Sequence, residues 1–194
     1  MDISRSINKL KTRYKDIEKY AEIMTKIRAT DISKDEDLQR MFNAFCRVRR
    51  NAAWRKEFYD LFEACKTKKD LTFEIILREM FKRTGRIEAS FSSKMLATLN
   101  PQMPIWDSIV ISKLGYKPKM EGDKEKRIVE AVQIYDEMVD RYNAFLEKDI
   151  SKEFLTAFDK AFPEFREMSD VKKIDFILWG GGEDNPLLQL RKNP

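Results

Sequence analysis

Histidine is absent from the 194 residues. A site built from this chain alone therefore has no Ser-His-Asp or Cys-His arrangement, no His-ligated zinc and no imidazole base. Any catalysis must draw on Lys, Asp, Glu, Tyr, Ser or Cys. Glycine and proline are scarce, six of each, too few for the many tight turns of an all-β fold. The one glycine cluster, GGG at 180–182, continues into EDN rather than GK[ST], so it is no phosphate-cradling loop. Cys46 and Cys65 do not have metal-ligand spacing. With no evident signal peptide, they are expected to be reduced core thiols in a cytoplasmic protein. No apolar run approaches the length of a membrane span, so no membrane partner is expected.

What is present points to helices. A hydrophobic content of 42% with thirteen Phe is enough for a packed core, and 37% charged residues solvate its surface. The length predicts one domain over 1–194, with a basic helical half, 1–86, and a second half, 87–194. Residues 1–30 hold eight Lys/Arg against four Asp/Glu, or +4; residues 40–86 hold thirteen against six, or +7; residues 119–150 hold six against nine, or −3. That asymmetry suits a face that meets a polyanion such as DNA or RNA. Its densest part is CRVRRNAAWRK, with Arg47, Arg49, Arg50, Arg55 and Lys56 around Trp54. Arginines pair with phosphates bidentately and an aromatic among them can stack on a base. The competing reading is a solvated helix junction with Trp54 in the core.

Apolar residues recur with helical period almost throughout. Ile7, Leu10, Tyr14, Ile17, Ala21 and Met24 form one stripe; Leu38, Phe42 and Phe45 a second; Trp54, Phe58, Leu61, Phe62 and Cys65 a third; Phe73, Ile76, Leu77, Met80 and Phe81 a fourth, stopped by Gly85. GYKPKMEGD reads as a loop. The helix after it is the longest, with Ile128, Val132, Tyr135, Val139, Tyr142 and Leu146 inward. EFLTAFDKAF and VKKIDFILW follow, with Asp170 as the N-cap of the last and the glycines after Trp179 as its end. The fold class is all-α, with about eight to ten helices.

The most specific stretch is SFSSKMLATLNPQMPIWDS, residues 90–108. Ser90 or Ser92 fits the cap of a short helix that carries Lys94 and buries Phe91, Met95, Leu96 and Leu99. Asn100-Pro101 ends that helix, because the residue before a proline disfavours the helical conformation. Pro104 leads into the next helix, and Asp107 fits a cap or a first-turn acid there. Ile109, Val110 and Leu114 then return to the core. Lys94 and Asp107 thus flank a stiff turn. Either they face one cleft or they are a solvated lysine and an ordinary cap.

This arrangement resembles the helix-hairpin-helix DNA glycosylases, whose bifunctional members carry a lysine after an L-P-G-V-G-x-K hairpin and an aspartate in a following P-V-D-T-H-V segment. SFSSK supplies the lysine position as Lys94, and PIWDSIV supplies the aspartate as Asp107. The resemblance implies an orthogonal helix bundle that flips a nucleotide out of the duplex. It implies a Lys94 amine that attacks C1′ of the sugar, and an Asp107 that activates the lysine and stabilises positive charge on the sugar. It implies neither metal nor cofactor. The chain departs from the pattern in lacking the hairpin glycines and in a shorter Lys94–Asp107 spacing. The same residues, S-F-x-S-K-x-L-A-T-x-N-P and P-I-W-D-S, also resemble a group of bacterial proteins, which implies no function.

Arg86, Glu88, Ser92, Ser93 and Trp106 lie beside this motif in sequence and are the expected lining of its cleft; Arg86 and Glu88 alternatively pair with each other on the surface. Asp136, Glu137 and Asp140 fit a solvated helix face better than a Mg²⁺ site. Asp175, between Ile174 and Phe176, is expected to pair with Lys172 or an arginine, and DNPLLQLRKNP to dock on the body or a partner. The expected function is nucleic-acid binding, with base or abasic-sugar processing by Lys94 and Asp107. The alternatives are a non-enzymatic binding module and an enzyme that holds a small phosphorylated substrate with the Arg47–Lys56 cluster.

Overall fold

The computed structural model describes residues 3–119 and 121–180. Gly181, Gly182 and the segment DNPLLQLRKNP lie outside the described residues, as do the side chains of Ile109 and Lys113. The described residues are all-helical, with no strand. The helices are α1 (Ile3–Lys11), α2 (Tyr14–Ala29), α3 (Glu36–Cys46), α4 (Ala52–Cys65), α5 (Phe73–Thr84), α6 (Ala89–Leu99), α7 (Ser108–Lys113), α8 (Lys124–Leu146), α9 (Asp149–Ala161) and α10 (Asp170–Gly180), with a 3₁₀ turn at Pro163–Phe165.

Local chemistry sets most boundaries. Asp35, Asn51, Thr72 and Asp123 each accept a backbone N–H three residues on, at Leu38, Trp54, Ile75 and Lys126, and so start α3, α4, α5 and α8. Gly85 ends α5 with φ +68° and the opened Cα position that glycine supplies. Three boundaries differ from the sequence reading. The first stripe is two helices, because the chain turns at Thr12–Arg13, where the Thr12 hydroxyl donates to the Lys9 carbonyl (2.7 Å). Neither Ser90 nor Ser92 caps α6, which begins at Ala89 and carries both serines inside it. Asp170 is the first residue of α10, and the hydroxyl of Ser169 does the capping instead, accepting from Lys172 N–H (3.3 Å).

One hydrophobic cluster runs from Ile7 to Ile177. The long helix α8 packs on α5, α9 and α10, and α5 also packs on α4 and α6. The first described helix meets the last two, since α1 packs on α9 and α10. The buried face of α8 is broader than the sequence stripe: Ala131, Ile134, Met138 and Phe145 are buried, while Val132, Val139 and Leu146 are only partly so. Among the described residues no helix is long and apolar enough to cross a membrane.

Candidate functional site

The proline-bracketed turn is held rigidly, and the residues that hold it come from three helices. The Ser169 hydroxyl donates to the Pro101 carbonyl (2.5 Å), the Tyr135 hydroxyl to the Pro104 carbonyl (2.9 Å), and Trp106 N–H to the Ser93 hydroxyl oxygen (2.9 Å). Trp106 stacks on Phe73 at 6.2 Å with the rings nearly parallel, and Phe73 stacks in turn on Tyr135 at 4.0 Å. These bonds and ring stacks hold the turn in place, and Asp107 stands immediately before α7.

Lys94 lies on α6 and reaches the end of α3. Its Nζ donates to the Cys46 carbonyl at 3.2 Å, one of the acceptors that a helix C-terminus leaves unsatisfied. It also sits 5.1 Å from the Phe91 ring centroid. Lys94 and Asp107 line one cavity of about 160 Å³, together with Phe45, Cys46, Arg47, Ile105, Ser108, Val110, Lys172, Asp175, Phe176 and Trp179. A second hollow of about 10 Å³ shares Phe45, Cys46, Lys94, Ile105 and Lys172 with it and is lined also by Tyr20, Ile23 and Phe42. The volume matches a cavity that holds one six-membered ring, about 150 Å³.

Burial governs the chemistry here. Removing water from Lys94 pushes its ammonium below the ordinary 10.5; Arg47 and Lys172 push the same way, while Cys46 and Asp107 oppose. Asp175 is pushed up from 3.8, first by burial, against the pull of Lys172 and of the Tyr142 hydroxyl, which donates to Oδ1 at 2.6 Å. Burial also raises the Cys46 thiol to about 11, which keeps it protonated and unreactive at neutral pH. The cavity therefore holds an amine of lowered basicity and a carboxyl that keeps its proton more readily than usual.

Arg47 forms the exposed rim. It ends α3 with φ +54° and ψ +45°, the one non-glycine residue of positive φ among the described residues. Glycine is the usual occupant of this position, and a residue with a Cβ there costs about 1 kcal/mol. Such strain concentrates at functional sites.

The other expected lining residues stand elsewhere. Trp106 is buried against Phe73, and Ser92 and Ser93 are fully buried within α6. Glu88, 5% exposed, bridges Arg50 (2.9 Å) and Arg86 (3.1 Å). None of these five lines the cavity. Ser93 and Trp106 instead hold the turn that carries Asp107.

In the basic stretch the structure separates residues that the sequence groups. Trp54 is buried and stacked on Phe58 at 5.1 Å, so its face is covered by protein and not open to a base. Lys56 pairs with Asp60 (2.6 Å), and Arg50 lies over Phe91 as well as pairing with Glu88. Arg47 and Arg49 are exposed and Arg55 is half-buried. Lys172 and Asp175 pair as the sequence suggested, at 3.6 Å; what sequence reasoning did not do is place beside Lys94 and Asp107 this pair together with Phe176 and Trp179. Their spacing of i, i+3, i+4 and i+7 puts all four on one face of α10, and two charges within an otherwise apolar stripe were the available signal. No protein-family model, curated protein or solved structure matches this chain.

Proposed function

We propose that this chain binds nucleic acid through its basic rim and acts on an abasic deoxyribose, with Lys94 as imine-forming nucleophile, as the resemblance to helix-hairpin-helix DNA glycosylases implies, and with Asp107 as proton acceptor. The observation that supports it most is a half-buried amine of lowered basicity that shares one cavity with Asp107. An ordinary lysine at neutral pH is almost wholly protonated, and a nucleophilic one needs a depressed pKa, which burial supplies here. The ring-sized volume favours a sugar without its base over an intact nucleoside. Cys46 and Cys65, both buried free thiols, suit a cytoplasmic setting.

The steps balance with these groups and solvent water. The Lys94 lone pair adds to C1′ of the ring-opened aldehyde while an N–H stays on the Cys46 carbonyl. The oxygen takes one proton from the adding nitrogen and a second from solvent and leaves as water, which gives the protonated imine. Asp107 removes a proton from C2′, and the electron pair expels the 3′ phosphate. Water then hydrolyses the imine and restores the amine.

Incubation with abasic-site duplex DNA and borohydride tests the reading. A covalent adduct on Lys94, lost in Lys94→Ala and retained on replacing the exposed Lys152 of α9 by alanine, is expected. Absence of an adduct, or one unchanged in Lys94→Ala, overturns it. The cavity's size also favours a second reading, a free phosphorylated sugar, and a parallel reaction with 2-deoxyribose 5-phosphate separates the two by which substrate labels Lys94 at the lower concentration.

A further inference from the structure

Lys172 and Asp175 stand side by side in the cavity wall, one turn apart on α10, and their relation is unusual. Lys172 is 7% exposed. Its Nζ lies 3.6 Å from Asp175 Oδ2, close enough for charge attraction and beyond hydrogen-bond length. The ammonium lies over the rings of Tyr20 (4.8 Å) and Phe176 (5.0 Å), which accept no conventional hydrogen bond. On the carboxylate, Oδ1 is engaged by Tyr142, whereas Oδ2 is buried with no hydrogen-bond partner. Asp175 Oδ2 is thus a buried acceptor without a protein hydrogen bond, and the Lys172 ammonium faces it by charge alone. Both residues line the cavity, where an entering group can reach them.

We infer that Lys172 and Asp175 form a hydroxyl-binding subsite, in which one ligand oxygen accepts from Lys172 Nζ and donates to Asp175 Oδ2. A single oxygen about 2.8 Å from each atom spans a 3.6 Å gap. A hydroxyl is the simplest group that accepts and donates at once. A carboxylate or phosphate oxygen satisfies the lysine and is repelled by the aspartate. An amide nitrogen satisfies the aspartate and not the lysine. Both residues share the cavity with Lys94 and Asp107, so the ligand class is a small hydroxylated carbonyl compound, a sugar in open-chain form, with its carbonyl at Lys94 and a hydroxyl at the α10 wall. Phe45, Phe176 and Trp179 supply apolar faces for its C–H surfaces. This inference rests on the proposal that Lys94 is the reacting amine, and it adds the residues that select the substrate.

Two aldehydes of equal chain length separate the subsite from the amine. 2-Deoxyribose carries hydroxyls and pentanal carries none. Each is reacted with the full chain in the presence of cyanoborohydride, and labelling of Lys94 is followed by mass spectrometry. Asp175→Asn keeps the Tyr142 acceptor and presents an N–H where Oδ2 was; Lys172→Met keeps the stem and removes the donor. Each variant is expected to lower 2-deoxyribose labelling at least tenfold relative to its own pentanal labelling. That internal ratio cancels any change in Lys94 basicity, and a circular-dichroism melt confirms that each variant folds. An unchanged ratio in folded variants overturns the subsite and leaves the amine chemistry standing. If neither aldehyde labels Lys94, the amine reading fails, and saturation-transfer NMR of 2-deoxyribose on Lys94→Ala then decides the subsite. Binding that is lost on adding Asp175→Asn supports it, and absent or unaltered binding overturns it.

Discussion

The Arg47–Lys56 stretch and the α10 wall differ sharply in how their charges are used. The first has five cationic residues in ten positions and looks in sequence like the obvious binding surface. Folding commits much of it: Trp54 to the core, Arg50 to Glu88, Lys56 to Asp60. The second has one lysine and one aspartate in an apolar helix. Folding buries them beside an open cavity and leaves Asp175 Oδ2 without a protein hydrogen bond. Charge density marks where a chain is solvated. Polar groups buried at a cavity without partners mark where a ligand would complete the structure.

The largest effect that tests this contrast is at Trp54. Trp54→Ala should cost about 3–5 kcal/mol of stability through the void it leaves among Phe58 and Phe91. The milder Trp54→Phe should leave affinity for a DNA duplex unchanged at fixed salt. A folded Trp54→Phe that loses affinity would mean that Trp54 stacks on a base after all, and chemical denaturation beside a binding titration reads both.

Glu88→Ala comes next. It strips the buried carboxylate from Arg50 and Arg86 and should cost about 2 kcal/mol, below the range for a fully buried pair because both arginines retain solvent contact. The thermal midpoint should fall while Lys94 labelling by an aldehyde stays the same. Loss of labelling in the folded variant would place Glu88 within the site rather than outside it.

Arg47→Gly should give the smallest change, and of opposite sign. Relief of the left-handed backbone should stabilise the fold by about 1 kcal/mol. Loss of one phosphate contact should lower the steepness of the salt dependence of nucleic-acid affinity by about one unit of slope. A destabilised Arg47→Gly would instead make the arginine a structural part of the rim.

Local signals in the sequence carried the architecture far. Helical period is short-range, so α3, α4, α5 and α8 could be read directly, although the caps that start them, Asp35, Asn51, Thr72 and Asp123, were not singled out in the sequence. The break at Thr12–Arg13 could not, because the apolar stripe continues across it and neither glycine nor proline marks it. Lys94 and Asp107 sharing a cavity was legible as a possibility from the stiff turn between them. The α10 wall was not, because it requires knowing that a helix about seventy residues further along the chain packs onto the turn through Ser169 and Pro101. Conversely, Ser92, Ser93 and Trp106 adjoin the motif in sequence, and their side chains turn inward to hold it.

The reactive amine is the claim on which the functional account turns, and the titration of Lys94 measures it. With ¹³C-labelled lysine, the Lys94 Cε resonance can be assigned by its loss in Lys94→Ala and followed against pH. The account predicts a midpoint clearly below 10.5, moving further from that value in Asp107→Asn, where an opposing negative charge is gone. A midpoint at or above 10.5 would make Lys94 a permanently charged cap on the end of α3 and would contradict the account.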